Sequence, residues 1–179
     1  TLTINDDDAA PTVQFTAAAQ SVGEAGGTGT VTVELSAASG LPVSVPYVLS
    51  GDASDPADYT IAPNPVVIPA GMTTADVTVT LVSDLLDETD ETVILSIGVP
   101  TNAGVGATGA HTLTINDDDA TPTVQFTVAA QAVGEAAGTG TATIELSAVS
   151  GLPVSVPYVV TGDASDPDDY TIAPNPVVI

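Results

Sequence analysis

The chain contains no lysine and no arginine among its 179 residues, and only one histidine, His111. Its 23 aspartate and glutamate residues therefore give a formal net charge of −23 at pH 7. A protein without basic side chains cannot neutralise phosphates, which argues against nucleic acid and anionic membrane surfaces as partners. Aromatic residues make up 3% of the chain, too few to form a platform on which bases or sugars stack.

Cysteine is also absent, so no disulfide bond holds the fold together. With one histidine, no cysteine and no lysine, nucleophilic triads and Schiff-base chemistry are excluded within this stretch. A carboxylate pair for glycoside hydrolysis would lack an aromatic cleft and a cationic neighbour. No apolar run approaches the roughly 18 residues that a membrane span needs. We therefore expect a protein that is not an enzyme, with no membrane insertion in this stretch.

The sequence repeats itself with a period of 111 positions. Residues 1–68 align with residues 112–179 without insertion or deletion, and 58 of the 68 positions are identical. Domains cluster at roughly 100–150 residues, so one period corresponds to one domain. The prediction is that residues 1–8 are the last strand of a preceding domain, 9–119 a complete domain and 120–179 the front half of the next. We expect the chain to be part of a longer array.

Alternating polar and apolar residues predict β-strands throughout. In Thr30–Leu35 every second residue is apolar, and the same period of two recurs in residues 43–47, 77–81, 93–97 and 113–115. Turn-forming clusters of Gly, Pro, Asn and Asp separate these runs, and no segment has a useful helical period. About seven strands in about 110 residues predict an all-β protein whose domains are antiparallel two-sheet sandwiches. Pro46, inside the third run, indicates an edge strand or a bulge.

The acidic residues of the complete period gather at strand ends and in loops. Two carboxylates about 5 Å apart repel by roughly 3 kcal/mol at an effective dielectric constant of 20. Either their pKa values rise or a hard cation lies between them. Ca²⁺ takes 6–8 oxygen ligands in irregular geometry, whereas Zn²⁺ and copper prefer the His and Cys that this chain hardly has. The alternative is that the aspartate triplets are solvated linkers between domains.

Several motifs together resemble the Calx-β domain family, the calcium-binding module of sodium–calcium exchangers and of many bacterial surface proteins. They are Val22-Gly-Glu24 before a glycine-rich turn, Gly51 followed by Asp58-Tyr59, Pro69-Ala-Gly71, the acidic run from Ser83 to Glu91, and the closing Ile115-Asn-Asp-Asp-Asp119. The resemblance covers the whole period. It implies a seven-stranded immunoglobulin-like β-sandwich, in agreement with the periodicity.

Matching positions to the family also implies a set of calcium ligands, and Asp87 and Asp90 are then expected to lie behind them or to face solvent. Where the family often has an aspartate triplet, this chain has Ser83-Asp84-Leu85, which leaves the number of ions open. Of the counterparts of these ligands, residues 120–179 contain only Glu135 and Asp169, so no site is expected there from this stretch alone. The implied ligands are Glu24, Asp58, Asp84, Glu88, Glu91, Asp117, Asp118 and Asp119.

Three functions are compatible with these features. The favoured one is a structural, calcium-stabilised repeat module of an extracellular fibre, adhesin stalk or matrix protein, at the cell surface or secreted. Its partners are neighbouring repeats of the same chain, and in one version identical subunits share strands in a filament. The alternatives are a calcium-sensing regulatory module and an accessory repeat region of a large secreted enzyme. Near-identical copies favour the first, because each domain of a spacer need contact only its neighbours.

Overall fold

The structure is a computed structural model that describes residues 1–3, 5, 7–61, 64–172 and 175–179. Two residues of the predicted first strand and first triplet, Ile4 and Asp6, lie outside the described residues. The chain divides into two compact units. The first comprises Thr1–Asp84 and Thr89–Asp118, and the second comprises Leu85–Glu88 and Asp119–Ile179. In the described residues no helix is long and apolar enough to cross a membrane.

In its described residues the first unit contains eleven strands, most of them short. They are β1 (Thr12–Phe15), β2 (Ala19–Gly23), β3 (Thr28–Leu35), β4 (Val43–Val45), β5 (Tyr47–Gly51), β6 (Tyr59–Ile61), β7 (Val66–Ile68), β8 (Thr74–Leu81), β9 (Glu91–Ile97), β10 (Gly104–Val105) and β11 (Ala110–Asn116). Pro46 separates β4 from β5, and the chain changes partners there, because β4 pairs with β7 whereas β5 pairs with β9.

Two main sheets form the first unit, with strand orders β10-β1-β3-β8-β6 and β2-β11-β9-β5. The alternation predicted from the sequence is confirmed, because the apolar member of each pair points into one core. The buried residues include Val31, Val33 and Leu35 of β3, Val77, Val79 and Leu81 of β8, Val93 and Leu95 of β9, and Leu113 and Ile115 of β11. The immunoglobulin-like sandwich is therefore the fold of this unit.

Among the described strands of this unit, two pairs are parallel rather than antiparallel. β1 pairs with β10, and β2 pairs with β11 over five residue pairs, from Ala19 opposite Thr112 to Gly23 opposite Asn116. The chain enters along β1, crosses to the other sheet between Phe15 and Ala19, and so places its first strands beside its last ones. Parallel partners must be far apart in the sequence, so the local pattern did not reveal this pairing.

The part of the second unit that the structure describes contains four short strands in two pairs: β12 (Val124–Phe126) with β13 (Ile144–Leu146), and β14 (Ser155–Val156) with β15 (Val177–Val178). Its sequence is nearly that of the first unit, but its apolar face is open. Phe15 is 1% exposed whereas its counterpart Phe126 is 58% exposed. In the first unit Phe15 packs against residues that follow position 68, among them His111, whose ring centroid lies 5.7 Å from that of Phe15.

Candidate metal site

Three carboxylates predicted as ligands come together at one end of the β2–β11 pair. Glu24 directly follows β2, and Asp117 and Asp119 follow β11. Because the parallel register places Gly23 opposite Asn116, the two strands end side by side, and the residues after them meet. One oxygen from each of the three carboxylates lies within 4.8 Å of the others, and all three residues are half-buried.

The electrostatics of this cluster favour a cation. Each pair of carboxylates at this separation repels by roughly 3 kcal/mol at an effective dielectric constant of 20, and the chain has no lysine or arginine to offset the charge. Among the described residues, Asp117 Oδ1 is one of two buried side-chain polar atoms without a hydrogen-bond partner. Buried polar atoms are rarely left unpaired, so this oxygen is suited to accept a ligand.

Backbone amides and a fourth carboxylate hold the cluster in place. The amide of Asp84 donates to Glu24 Oε1 at 2.7 Å, and the amide of Asp117 donates to Asp90 Oδ1 at 3.1 Å. The sequence indicated only that Asp90 lies behind the ligands or faces solvent. The structure shows that its side chain fixes the backbone at Asp117, although the residue itself is exposed.

The other predicted ligands are not members of this group of three, and their roles as ligands stay predictions. Asp84 and Asp118 are exposed. Glu91 begins β9 and lies opposite Ile115 of β11, near the end of that strand. Glu88 belongs to the second unit, where its carboxylate lies close to the backbone of Gly151.

Asp58 is engaged in a local turn. Its Oδ2 accepts a hydrogen bond from the amide of Ser54 at 2.5 Å, and its own amide donates to the Ser54 carbonyl at 2.8 Å. The next residue, Tyr59, is buried, and burial followed by the negative charges of Asp55 and Asp58 raises the pKa of its phenol. Asp58 therefore has a structural role in this turn, and its role as a ligand stays a prediction.

The same turn occurs in the second unit, which shows that it depends on local sequence alone. Asp169 Oδ2 accepts from the amide of Ser165 at 2.8 Å and from its hydroxyl at 3.1 Å. These two hydrogen bonds lower the pKa of Asp169, because they stabilise the ionised carboxylate.

Asp52 and Gly51 anchor the start of β9, a role that the sequence did not indicate. Asp52 Oδ1 accepts from both the amide and the hydroxyl of Thr92, at 2.6 and 2.5 Å, and these bonds lower the pKa of Asp52. Gly51 has φ +121°, and a Cβ there would lie 2.1 Å from the Thr92 carbonyl oxygen. Glycine is therefore required at this close approach, which lies one residue from the predicted ligand Glu91.

The donor set decides which cation suits the site. Carboxylate oxygens on loops match the requirements of Ca²⁺, which accepts irregular arrangements, better than those of Zn²⁺. The single histidine is elsewhere: His111 is 2% exposed in the core, where its Nδ1 lies 2.7 Å from the Ala17 carbonyl oxygen. It cannot supply a ligand at the end of the β2–β11 pair.

Comparisons with known proteins agree with this fold. The sequence profile of the Calx-beta domain matches residues 6–119 and 117–178. The crystal structure of the apo-form Calx CBD1 domain superposes with a TM-score of 0.56 at 22% identity, covering 61% of this chain and 98% of that one. The CBD12 structure from CALX1.2 gives a TM-score of 0.55 at 23% identity over 60% of this chain.

The calcium binding domain CBD12 of CALX1.1 gives a TM-score of 0.56 at 23% identity over 65% of this chain. This chain spans 44% and 48% of the two CBD12 structures. At these identities the likeness establishes the fold. No curated protein sequence matched the chain.

Proposed function

Because the chain belongs to the Calx-beta domain family, we propose that it is a calcium-binding, non-catalytic repeat module whose cations stabilise the fold. The observation that carries this proposal is the buried, unpaired Asp117 Oδ1 within 4.8 Å of carboxylate oxygens from Glu24 and Asp119. A structural relative that is named a calcium binding domain supports the choice of cation.

In this proposal Glu24, Asp117 and Asp119 bind the cation directly. A bound Ca²⁺ supplies the positive charge that the chain lacks, and removes the mutual repulsion of the three carboxylates. The Asp84 amide keeps the Glu24 carboxylate oriented, and the Asp90 carboxylate keeps Asp117 in place. Because the ligands come from the ends of β2 and β11, binding stabilises the pairing of the first and last strands of the repeat.

We also propose that the module belongs to an extracellular or cell-surface structural array. Near-identical copies at a fixed period suit a spacer, and a domain without cysteine needs another means of stabilisation outside the cell. Specific labelling of intact source cells by an antibody against the chain is expected. Labelling that requires permeabilised cells would contradict this location.

Thermal unfolding of the chain in excess Ca²⁺, excess Mg²⁺ and chelator tests the calcium proposal. A ligand at a hundredfold excess over its dissociation constant adds about 2.7 kcal/mol of stability, which raises the melting temperature by on the order of 10 °C. We expect this increase with Ca²⁺ and little with Mg²⁺, and we expect Asp117→Asn to abolish it.

The matched control is Asp76→Asn, which removes the same charge from an exposed position on β8 where the carboxylate accepts a hydrogen bond from Thr32. This variant should keep the full response to Ca²⁺. Equal shifts with Ca²⁺ and Mg²⁺, or the same loss in both variants, would mean that the carboxylates form only a solvated acidic surface.

A further inference from the structure

The parallel pairs that join the start and the end of the repeat have a mechanical consequence that needs no cation. β2 and β11 are matched over five residue pairs, and β1 and β10 over two. We define these four strands, with the loop bonds beside them, as the terminal clamp. All of its residues belong to the first unit.

Backbone hydrogen bonds outside the strands extend the terminal clamp. Each joins one of the first residues of the repeat to one of its last, so these bonds connect the same two ends of the repeat as the strand pairs do. They are Gly104 N to Pro11 O at 2.9 Å, Gly106 N to Val13 O at 2.8 Å, Phe15 N to Thr108 O at 2.9 Å and Thr112 N to Ala18 O at 2.9 Å.

His111 adds a buried bond to the terminal clamp. A carbonyl oxygen can only accept, so the contact of 2.7 Å to Ala17 places the imidazole proton on Nδ1. The ring lies 5.7 Å from that of Phe15, centroid to centroid, and its Nε2 is buried without a partner. His111 thus joins the beginning of β11 to the crossover between β1 and β2, at the expense of one unpaired polar atom.

Tension along an array pulls each repeat from its two ends. It pulls β1 and β2 backwards along their axes and β11 forwards, because the paired strands run in the same direction. The hydrogen bonds between β2 and β11 are then sheared together, so that all of them resist at once. If the same two strands were separated from one end, the bonds would break one pair at a time, and each would resist alone.

We propose that the terminal clamp, including His111, makes each repeat resist tension applied through the chain. It goes beyond the proposed function, because it depends on strand direction and not on calcium. It assigns a role to His111, the single histidine of the chain.

Single-molecule pulling in two directions tests the proposal, in chelator so that calcium plays no part. The chain has no cysteine, so introduced cysteines provide the only attachment points. Ala9→Cys with Ala120→Cys loads the β2–β11 pair in shear. Ala25→Cys with Ala120→Cys pulls the same pair apart from one end. The two double variants share Ala120→Cys and differ in the position of the second cysteine, which sets the direction of the pull.

We expect the unfolding force to be several-fold higher in the shear direction. Equal forces in the two directions would overturn the proposal, whatever the outcome of the calcium experiment. His111→Leu should lower the unfolding force in the shear direction and leave the force for separation from one end unchanged. Val79→Ala opens a cavity in β8 away from the terminal clamp. It should lower the equilibrium stability and keep the difference in force between the two directions. An unchanged shear force in His111→Leu would contradict the role of His111 in the terminal clamp.

Discussion

At the scale of single residues, Asp90 shows how the candidate site is held. Its carboxylate accepts a hydrogen bond from the amide of Asp117 at 3.1 Å. A hydrogen bond to a charged acceptor contributes about 1.5–3 kcal/mol to stability. We expect Asp90→Ala to weaken calcium binding by about tenfold. Asp90→Asn keeps the acceptor oxygen and should restore most of the affinity. Isothermal titration with Ca²⁺ measures both variants.

Asp87→Ala is the matched control for this prediction. Asp87 carries the same charge three residues away, but its side chain accepts a hydrogen bond from the Thr121 hydroxyl at 3.1 Å, whereas the Asp117 amide donates to Asp90. If Asp87→Ala and Asp90→Ala weakened binding equally, the effect of Asp90 would be its charge alone, and its positioning role would be contradicted.

The candidate site could be predicted only in part from the sequence. Glu24, Asp117 and Asp119 meet because β2 and β11 end together, and the family resemblance included all three. The sequence gives no sign that Asp58 is engaged by the Ser54 amide or that Asp90 supports Asp117. Such details depend on where a turn directs a carboxylate, and residue types alone do not determine that direction.

At the scale of strands and loops, the start of β9 depends on Asp52. The Thr92 amide and hydroxyl lower the pKa of Asp52 below the ordinary 3.8, so the ionised form is favoured in the folded state. Its contribution to stability is present above pH about 4 and is lost as the pH falls through the lowered value. Asp52→Ala should therefore flatten the dependence of the melting temperature on pH below about 4.

The control for the acid melts is Asp163→Ala. Asp163 occupies the same position in the second copy, where the chain contains no counterpart of Thr92. The pH dependence of this variant should equal that of the unchanged protein. A slope that survives in Asp52→Ala would show that the Thr92 bonds do not stabilise the start of β9.

The strands differ in how well the sequence predicts them. β3, β8, β9 and β11 alternate over seven or eight residues, and a period of two over that length is specific. β2 and β10 are edge strands whose pattern is weak, and β10 has only two residues. Their pairing is fixed by the closure of the sandwich, which depends on residues about a hundred positions away, and no local pattern reports it.

At the scale of the whole molecule, the charge of −23 is a source of self-repulsion that salt should screen. The Debye length falls from about 30 Å at 0.01 M to about 3 Å at 1 M salt. We expect NaCl in chelator to raise the melting temperature gradually over that range, and KCl to act equally. Melting at matched ionic strength then separates this general effect from calcium binding.

Millimolar Ca²⁺ should raise the melting temperature by more than its ionic strength explains. If NaCl had no effect in chelator, the repulsion between the carboxylates would already be relieved within the folded protein. In that case the calcium-free protein would not depend on bulk ions for its stability.

The partnership of β2 with β11 also sets the order of events during synthesis. A repeat that emerges from the ribosome cannot close its sandwich until its last strand, about a hundred residues after its first, has been made. Until then the edge of β2 that pairs with β11 is unpaired. The closing segment Thr112–Asn116 is identical to Thr1–Asn5, so two neighbouring copies offer the waiting edge the same strand. Vectorial synthesis presents the copies one after another, and this order allows each repeat to pair with its own closing strand.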